Sequence, residues 1–187
     1  MIITISGRPG SGKSVVASRV AQALGLRHVS AGDFMREMAA ERGLSILELS
    51  RSAEEQSSID HEIDARTVRL AEEDDDFVMD ARLGWRFVPA SVKVFLEVRP
   101  EVAARRIFDA GRGTEHENVS LEETMAAIRS RTASERKRYL DYYGLDYTEH
   151  DQYDLVVDTS DHTIDEVVET VLEHIAAAGS GFQGVVR

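Results

Sequence analysis

Residues Gly7-Arg8-Pro9-Gly10-Ser11-Gly12-Lys13-Ser14 fit the pattern G-x-x-x-x-G-K-[ST] at every required position. The glycines of such a run let the chain curl until successive N–H groups face one anionic centre. Lys13 then reaches the β- and γ-phosphates of a nucleoside triphosphate, and the Ser14 hydroxyl ligates Mg2+. The chemistry on offer is the gripping of a nucleoside triphosphate with Mg2+ as its companion ion; the loop alone does not separate a kinase from a GTPase or a motor ATPase. A glycine-rich strand-to-helix turn with no ligand is the bland alternative. The flanks argue against it: Met1–Ser6 is a β-branched apolar run, and Val15–Leu24 repeats Ala, Val and Leu at helical spacing.

A second set of residues could meet phosphate. Only Lys13, Lys93 and Lys137 are lysines among the basic residues, and the rest are arginines. A guanidinium fork matches phosphate oxygens two at a time, although arginine excess can also be mere composition. Arg131, Glu135 and Arg138 are spaced i, i+4, i+7 and share one helix face. Two readings stay open there. One is an exposed salt-bridge stripe; the other is two guanidiniums on phosphoryl oxygens with a carboxylate between them for a sugar hydroxyl. Phe77-Val78-Met79-Asp80 partly imitates the Mg2+-binding strand of motor ATPases, but Arg82 follows within two residues. A cation there suits an anionic acceptor better. The N-K-x-D motif by which a GTPase reads its base is absent.

These residues need elements to position them. Strands are expected near Ile2–Ile5, Arg27–Val29, Phe77–Met79, Val92–Val98 and Leu155–Val157. Helices are expected at Lys13–Leu24, Ala31–Arg42, Ile46–Ser52, Gln56–Glu73, Glu101–Ala110, Leu121–Tyr143 and Ile164–Ala177. Ser45…Glu48, Ser120…Glu123 and Thr163…Glu166 have capping-box spacing, and Pro100 suits a first helical turn. Strands alternating with helices imply an α/β fold, a parallel sheet covered on both faces, with ligands at the carboxyl ends of its strands. That rule collects Gly7–Ser14, Ser30–Asp33 and Asp80–Arg82 at one end. Residues 31–76 read as a helical insertion, 111–119 as a short lid and 179–187 as a tail, around a core of 1–30, 77–110 and 120–178.

Bulk composition narrows the field. With 187 residues the chain suffices for one domain. It has no cysteine, which excludes disulfides, thiolate metal sites and a cysteine nucleophile. A net charge of −12 repels nucleic acid. No apolar run approaches a membrane span and no leader is evident, so a cytoplasmic protein without a membrane partner is expected. His28, His61, His116, His150, His162 and His174 are scattered with no metal-ligand spacing, and each is expected to be solvated or capping. Trp85 suits base stacking or packing beside the third strand equally well.

At this point the pattern resembles a family. Ser30-Ala31-Gly32-Asp33-Phe34-Met35-Arg36-Glu37 is similar to the S-A-G-[DE]-x-x-R-E segment of archaeal-type cytidylate kinases. Asp80-Ala81-Arg82-Leu83-Gly84-Trp85 resembles their [DE]-G-R-x-x-G-W run, with Ala81 in place of the usual glycine. Arg131-x-x-x-Glu135-x-x-Arg138-Tyr139 and Tyr153–Ser160 resemble their late helix and last strand. Lys13 stands where many archaeal members carry threonine. The resemblance implies a P-loop nucleoside monophosphate kinase: a three-layer fold with a five-stranded parallel sheet, a monophosphate-binding insertion and a lid. It implies transfer of the γ-phosphoryl group of ATP to CMP or dCMP by a monomer. It implies that Ser30, Asp33, Arg36, Asp80 and Arg82 serve the acceptor, and that Glu135 meets its ribose. Arg131 and Arg138 would meet the acceptor and transferred phosphates, and Arg106 would be a lid-hinge arginine. Asp80 is left either to orient Mg2+ through water or to fix Arg82. Two other classes remain: another small P-loop kinase with a different acceptor, or a protein that binds ATP and transfers nothing.

Overall fold

The five apolar runs become five parallel strands. A computed structural model describes residues 1–44, 48–49, 52–53, 56–110 and 120–180. Its strands are β1 (Ile2–Gly7), β2 (Arg27–Ser30), β3 (Phe77–Asp80), β4 (Val92–Glu97) and β5 (Leu155–Asp158). They form one sheet in the order β2-β3-β1-β4-β5. Every neighbouring pair is parallel, with β1 paired to β3 and β4. β1 is buried from Ile3 to Gly7, as a central strand covered on both faces must be. Its first expected boundary was too short: the strand runs on into Gly7, the first glycine of the phosphate loop.

The helices between and after these strands are α1 (Lys13–Leu24), α2 (Ala31–Glu41), α3 (Ser57–Glu73), α4 (Gly84–Phe87), α5 (Pro100–Asp109), α6 (Leu121–Tyr143) and α7 (Ile164–Ser180). Ile3, Ile5, Val94 and Leu96 of the sheet pack with Val16, Ala17 and Val20 of α1 and Val167, Val171 and Ile175 of α7. The opposite face is covered by two smaller clusters. Phe77, Met79 and Ala81 gather Phe34 and Leu70, while Phe95 packs with Leu83, Tyr139 and Tyr147. Helix, sheet, helix is the three-layer arrangement that alternating elements predicted.

Local chemistry explains the boundaries. At α6 the Glu123 backbone N–H donates to Ser120 Oγ at 3.1 Å. At α7 the box is reciprocal: Glu166 N–H donates to Thr163 Oγ1 at 3.3 Å, and Thr163 N–H to Glu166 Oε2 at 2.7 Å. Pro100 opens α5, where its missing N–H costs nothing. The short α4 has no counterpart among the expected elements; four residues are too few to show a period. Residues 46–47 and 50–51 of the expected third helix and its Ser45 cap lie outside the described residues, as do residues 54–55, the expected lid at 111–119 and residues 181–187 of the expected tail. Residues 179 and 180 continue α7. No described helix is long and apolar enough to cross a membrane.

Candidate active site

The phosphate loop joins β1 to α1 and is pressed against its neighbours. A Cβ on Gly7 would lie 2.6 Å from the Leu96 carbonyl oxygen. One on Gly10, which has φ +79°, would lie 2.8 Å from Ala103 Cα in α5. Glycine is therefore required at position 10 for backbone conformation and for space alike. Arg8 N–H donates to Leu96 O at 3.2 Å, and the Arg8 guanidinium binds the carboxylate of Glu97 at the end of β4. Glu97 also accepts from Val98 N–H at 3.1 Å and approaches His150 Nε2 at 3.2 Å.

Asp80 ends β3 beside Ile5 of β1, which brings its carboxylate under the start of α1. Lys13 Nζ lies 3.2 Å from Asp80 Oδ2, and the Ser14 hydroxyl donates to the same oxygen. His28 Nε2 is 3.4 Å from the other oxygen, so this histidine packs against the site rather than standing in solvent as expected. Burial alone would raise Asp80. The His28 ring, the Lys13 ammonium and the Ser14 hydroxyl more than reverse that, so its carboxyl sits far below the usual carboxylate range. Lys13 is lowered from its ordinary value, by burial first and then by the nearby Arg82 charge. Asp80 Oδ1 is buried and, with His28 Nε2 at 3.4 Å, is in hydrogen-bonding geometry with no group among the described residues. A hard cation that takes one or two protein oxygens and completes its shell with water and phosphate fits that orphan oxygen beside Ser14.

The second arginine set converges on Glu135 of α6. Arg82 Nε donates to Glu135 Oε2 at 2.9 Å, Arg131 Nε to Oε1 at 3.0 Å, and Tyr147 Oη to Oε2 at 3.1 Å. Burial would raise Glu135; the Arg82 and Arg131 guanidiniums outweigh it and hold the carboxyl well below its ordinary value. Arg82 also donates from Nη1 to the Gly7 carbonyl at 2.6 Å. One guanidinium thus bridges the phosphate loop and α6. Of the two readings left open for the i, i+4, i+7 face, a purely exposed stripe does not describe it, because Glu135 is buried. Asp80, left between a metal role and fixing Arg82, contacts Lys13 and Ser14, while Arg82 is fixed by Glu135.

The remaining residues are placed as follows. Arg138 Nε lies 2.9 Å from Asp60 Oδ2 of α3, with its guanidinium 5.4 Å over the Tyr139 ring. Arg36 is exposed on α2 and ion-paired to Asp33 one turn earlier. Ser30 caps α2 by accepting from Gly32 N–H at 3.2 Å. Arg106 donates to Thr159 Oγ1 at 3.0 Å and Thr159 O at 2.6 Å, tying α5 to the turn after β5. Trp85 packs edge-on against Tyr153, with ring centroids 5.6 Å apart. Sequence reasoning missed Asp60, Glu97, His28 and Tyr147. Their partners lie on other elements, so no local spacing announces them.

The sequence profile of the cytidylate kinase-like family matches residues 2–161. The chain is 41% identical over 179 residues to the cytidylate kinase of Haloquadratum walsbyi, covering 95% of this chain and 90% of that protein. It is 42% identical over 160 residues to the cytidylate kinase of Methanothermobacter thermautotrophicus, covering 86% of this chain and 96% of that one. Among solved structures, the shikimate kinase of Bacteroides thetaiotaomicron superposes with a TM-score of 0.62 at 18% identity, covering 94% of this chain and 98% of that one; this likeness is one of fold.

Proposed function

We infer the activity from kinship and geometry together: the chain belongs to the cytidylate kinase-like family, and its site joins a triphosphate grip to a cluster of guanidiniums. The protein is a nucleoside monophosphate kinase that transfers the γ-phosphoryl group of ATP to CMP or dCMP, giving ADP and the diphosphate. The observation that carries this reading is Arg82. It is bonded at once to Gly7 of the donor loop and to Glu135 on the arginine-bearing helix, so donor and acceptor seats share one wall.

An oxygen of the acceptor phosphate attacks the γ-phosphorus in line, and the bond to the β,γ-bridging oxygen breaks. The transition state is loose and carries charge on its equatorial oxygens, so the protein contributes positioning and fixed positive charge rather than covalent chemistry. The loop Gly7–Ser14 wraps the donor phosphates, and Lys13 moves from Asp80 to the β- and γ-phosphates. When bound, Mg2+ neutralises charge on those phosphates, held by Ser14 with Asp80 behind it. Arg131 is more than half exposed and keeps guanidinium nitrogens free of Glu135, which suits it to the transferred group. Arg36, with Ser30 and Asp33 beside it, and Arg82 serve the acceptor phosphate. Arg138 faces the acceptor from α6, and Arg106 fastens the donor side at Thr159.

The α2–α3 region, residues 31–76, acts as the monophosphate-binding insertion. It has its own small core of Met38, Leu49, Ala53 and Ile59 apart from the sheet. Closure of this insertion keeps water from the γ-phosphorus. The working unit is a monomer. A coupled assay for ADP with CMP, dCMP, UMP, AMP and GMP tests the proposal. Turnover is expected to be fastest with the cytidine nucleotides; ATP binding with no turnover of any acceptor would overturn it.

A further inference from the structure

Asp60 has no part in the phosphoryl-transfer scheme, and its partner Arg138 is the arginine that faces the acceptor from α6. Asp60 is 6% exposed and Arg138 lies on the α6 face that also carries Arg131 and Glu135. Their atoms Oδ2 and Nε stand 2.9 Å apart, yet neither is in hydrogen-bonding geometry with any group among the described residues. A buried charge pair adds little to stability even when well bonded, and this one is poorly bonded. A clamp between α3 and α6 is already provided one helical turn away, where Tyr143 Oη donates to Asp64. The pair therefore has hydrogen-bonding capacity held in reserve, on the wall where the insertion meets the acceptor side.

We propose that Asp60, with Arg138, reads the base of the acceptor nucleotide. This rests on the kinase reading above and deepens it. An ionised carboxylate only accepts hydrogen bonds and a guanidinium only donates them. Cytosine offers an amino donor at position 4 beside acceptors at N3 and O2. Asp60 takes the amino group and Arg138 donates to the ring acceptors. Uracil in the same pose turns its O4 lone pairs on the Asp60 carboxylate and its N3–H on Arg138, so the contacts at positions 4 and 3 become repulsive and only that at O2 survives. Asp60 is then a specificity-determining residue, and acceptor binding supplies the partners that the two orphan atoms lack.

The test compares CMP, UMP and the monophosphate of 2-pyrimidinone riboside, which is CMP without its amino group. Wild-type kcat/KM is expected to fall roughly 10- to 100-fold on loss of that group, because a buried charged acceptor is left without its donor. In Asp60→Asn the same comparison shrinks to about threefold or less and UMP gains relative to CMP, while KM for ATP stays within about twofold. Asp60→Glu, which keeps the charge, retains discrimination against UMP. If Asp60→Asn weakens all three acceptors equally, Asp60 is a structural clamp and the inference is overturned. Wild type active on CMP but indifferent to the amino group overturns it alone, whether or not the variants fold. Wild type inactive on every monophosphate overturns the kinase reading and this inference with it.

Discussion

On the proposed reading, the donor and acceptor halves of the site are built on opposite plans. On the donor side each functional group is tied to a neighbouring strand. Gly7 and Arg8 lean on Leu96 and Glu97 of β4, and Lys13 and Ser14 on Asp80 of β3. Parallel pairing fixes those partners before any ligand arrives. On the acceptor side Arg36 and Arg131 are 57% and 59% exposed. Helices α2 and α3 of the insertion are laced by surface ion pairs, in which Arg66 meets Glu37 and Glu41 of α2 as well as Glu62 of its own helix. Such pairs contribute little individually and yield to salt. In the proposed reading the donor seat is thus preorganised by the sheet, whereas on the acceptor side Arg82 alone is fixed in advance, and Arg36 and Arg131 are left for the occupant to order.

Substitutions can break or sharpen that contrast. The largest effects are expected where preorganised or uncompensated charge meets the transferred group. Lys13→Ala and Arg131→Ala should each lower kcat by at least about 10²-fold, the scale of losing one fixed charge partner. Near-normal turnover of either variant in a steady-state assay removes that residue from the mechanism. Arg36→Ala should act differently, raising KM for the monophosphate about tenfold with kcat for bound substrate much less changed. If KM for ATP rises instead, the division into two halves is wrong.

The smallest effect concerns the seam between insertion and α6. Burial lifts the Asp64 carboxyl to about 6, against the opposing pull of the Tyr143 hydroxyl. A folded-state value above the unfolded one means that the fold prefers the neutral acid. This contribution is fully present below the unfolded value and is lost as pH rises towards about 6. Asp64→Asn keeps an acceptor for Tyr143 and removes the titration. Its Tm should therefore gain on wild type by a few degrees between pH 4 and pH 7, where ~1 kcal/mol moves a domain of this size by about 2–4 °C. A constant difference in thermal melts across that range would show that the seam does not sense this carboxyl.

Legibility in the sequence followed the same division. The phosphate loop was readable because all its chemistry lies in eight consecutive residues between a strand and a helix. The five strands were readable because burial on both faces leaves apolar runs, and two helix starts because capping boxes are local. The i, i+4 pair Arg131–Glu135 was visible on the same ground. What binds Glu135 from the other side was not, since Arg82 arrives from the end of β3 and Tyr147 from beyond α6. Nothing along the chain sets Asp60 apart from other acids on a polar helix; its partner comes from α6. His28 looked solvated because nothing in its neighbourhood along the chain reveals that β2 lies next to β3. Residues tied within a turn can be read directly; those tied through the sheet's neighbours need the strand order first.

The contact behind Gly10 carries one more consequence. Ala103 sits on α5, touches no proposed ligand, and belongs to no motif, yet a single methyl on Gly10 would collide with its backbone. The shape of the triphosphate cradle is thus moulded from the rear by a helix outside it. Enlarging residue 103 to valine or leucine would push the cradle forward without altering any residue in it, giving a remote handle on ATP affinity at a position that motif inspection would pass over.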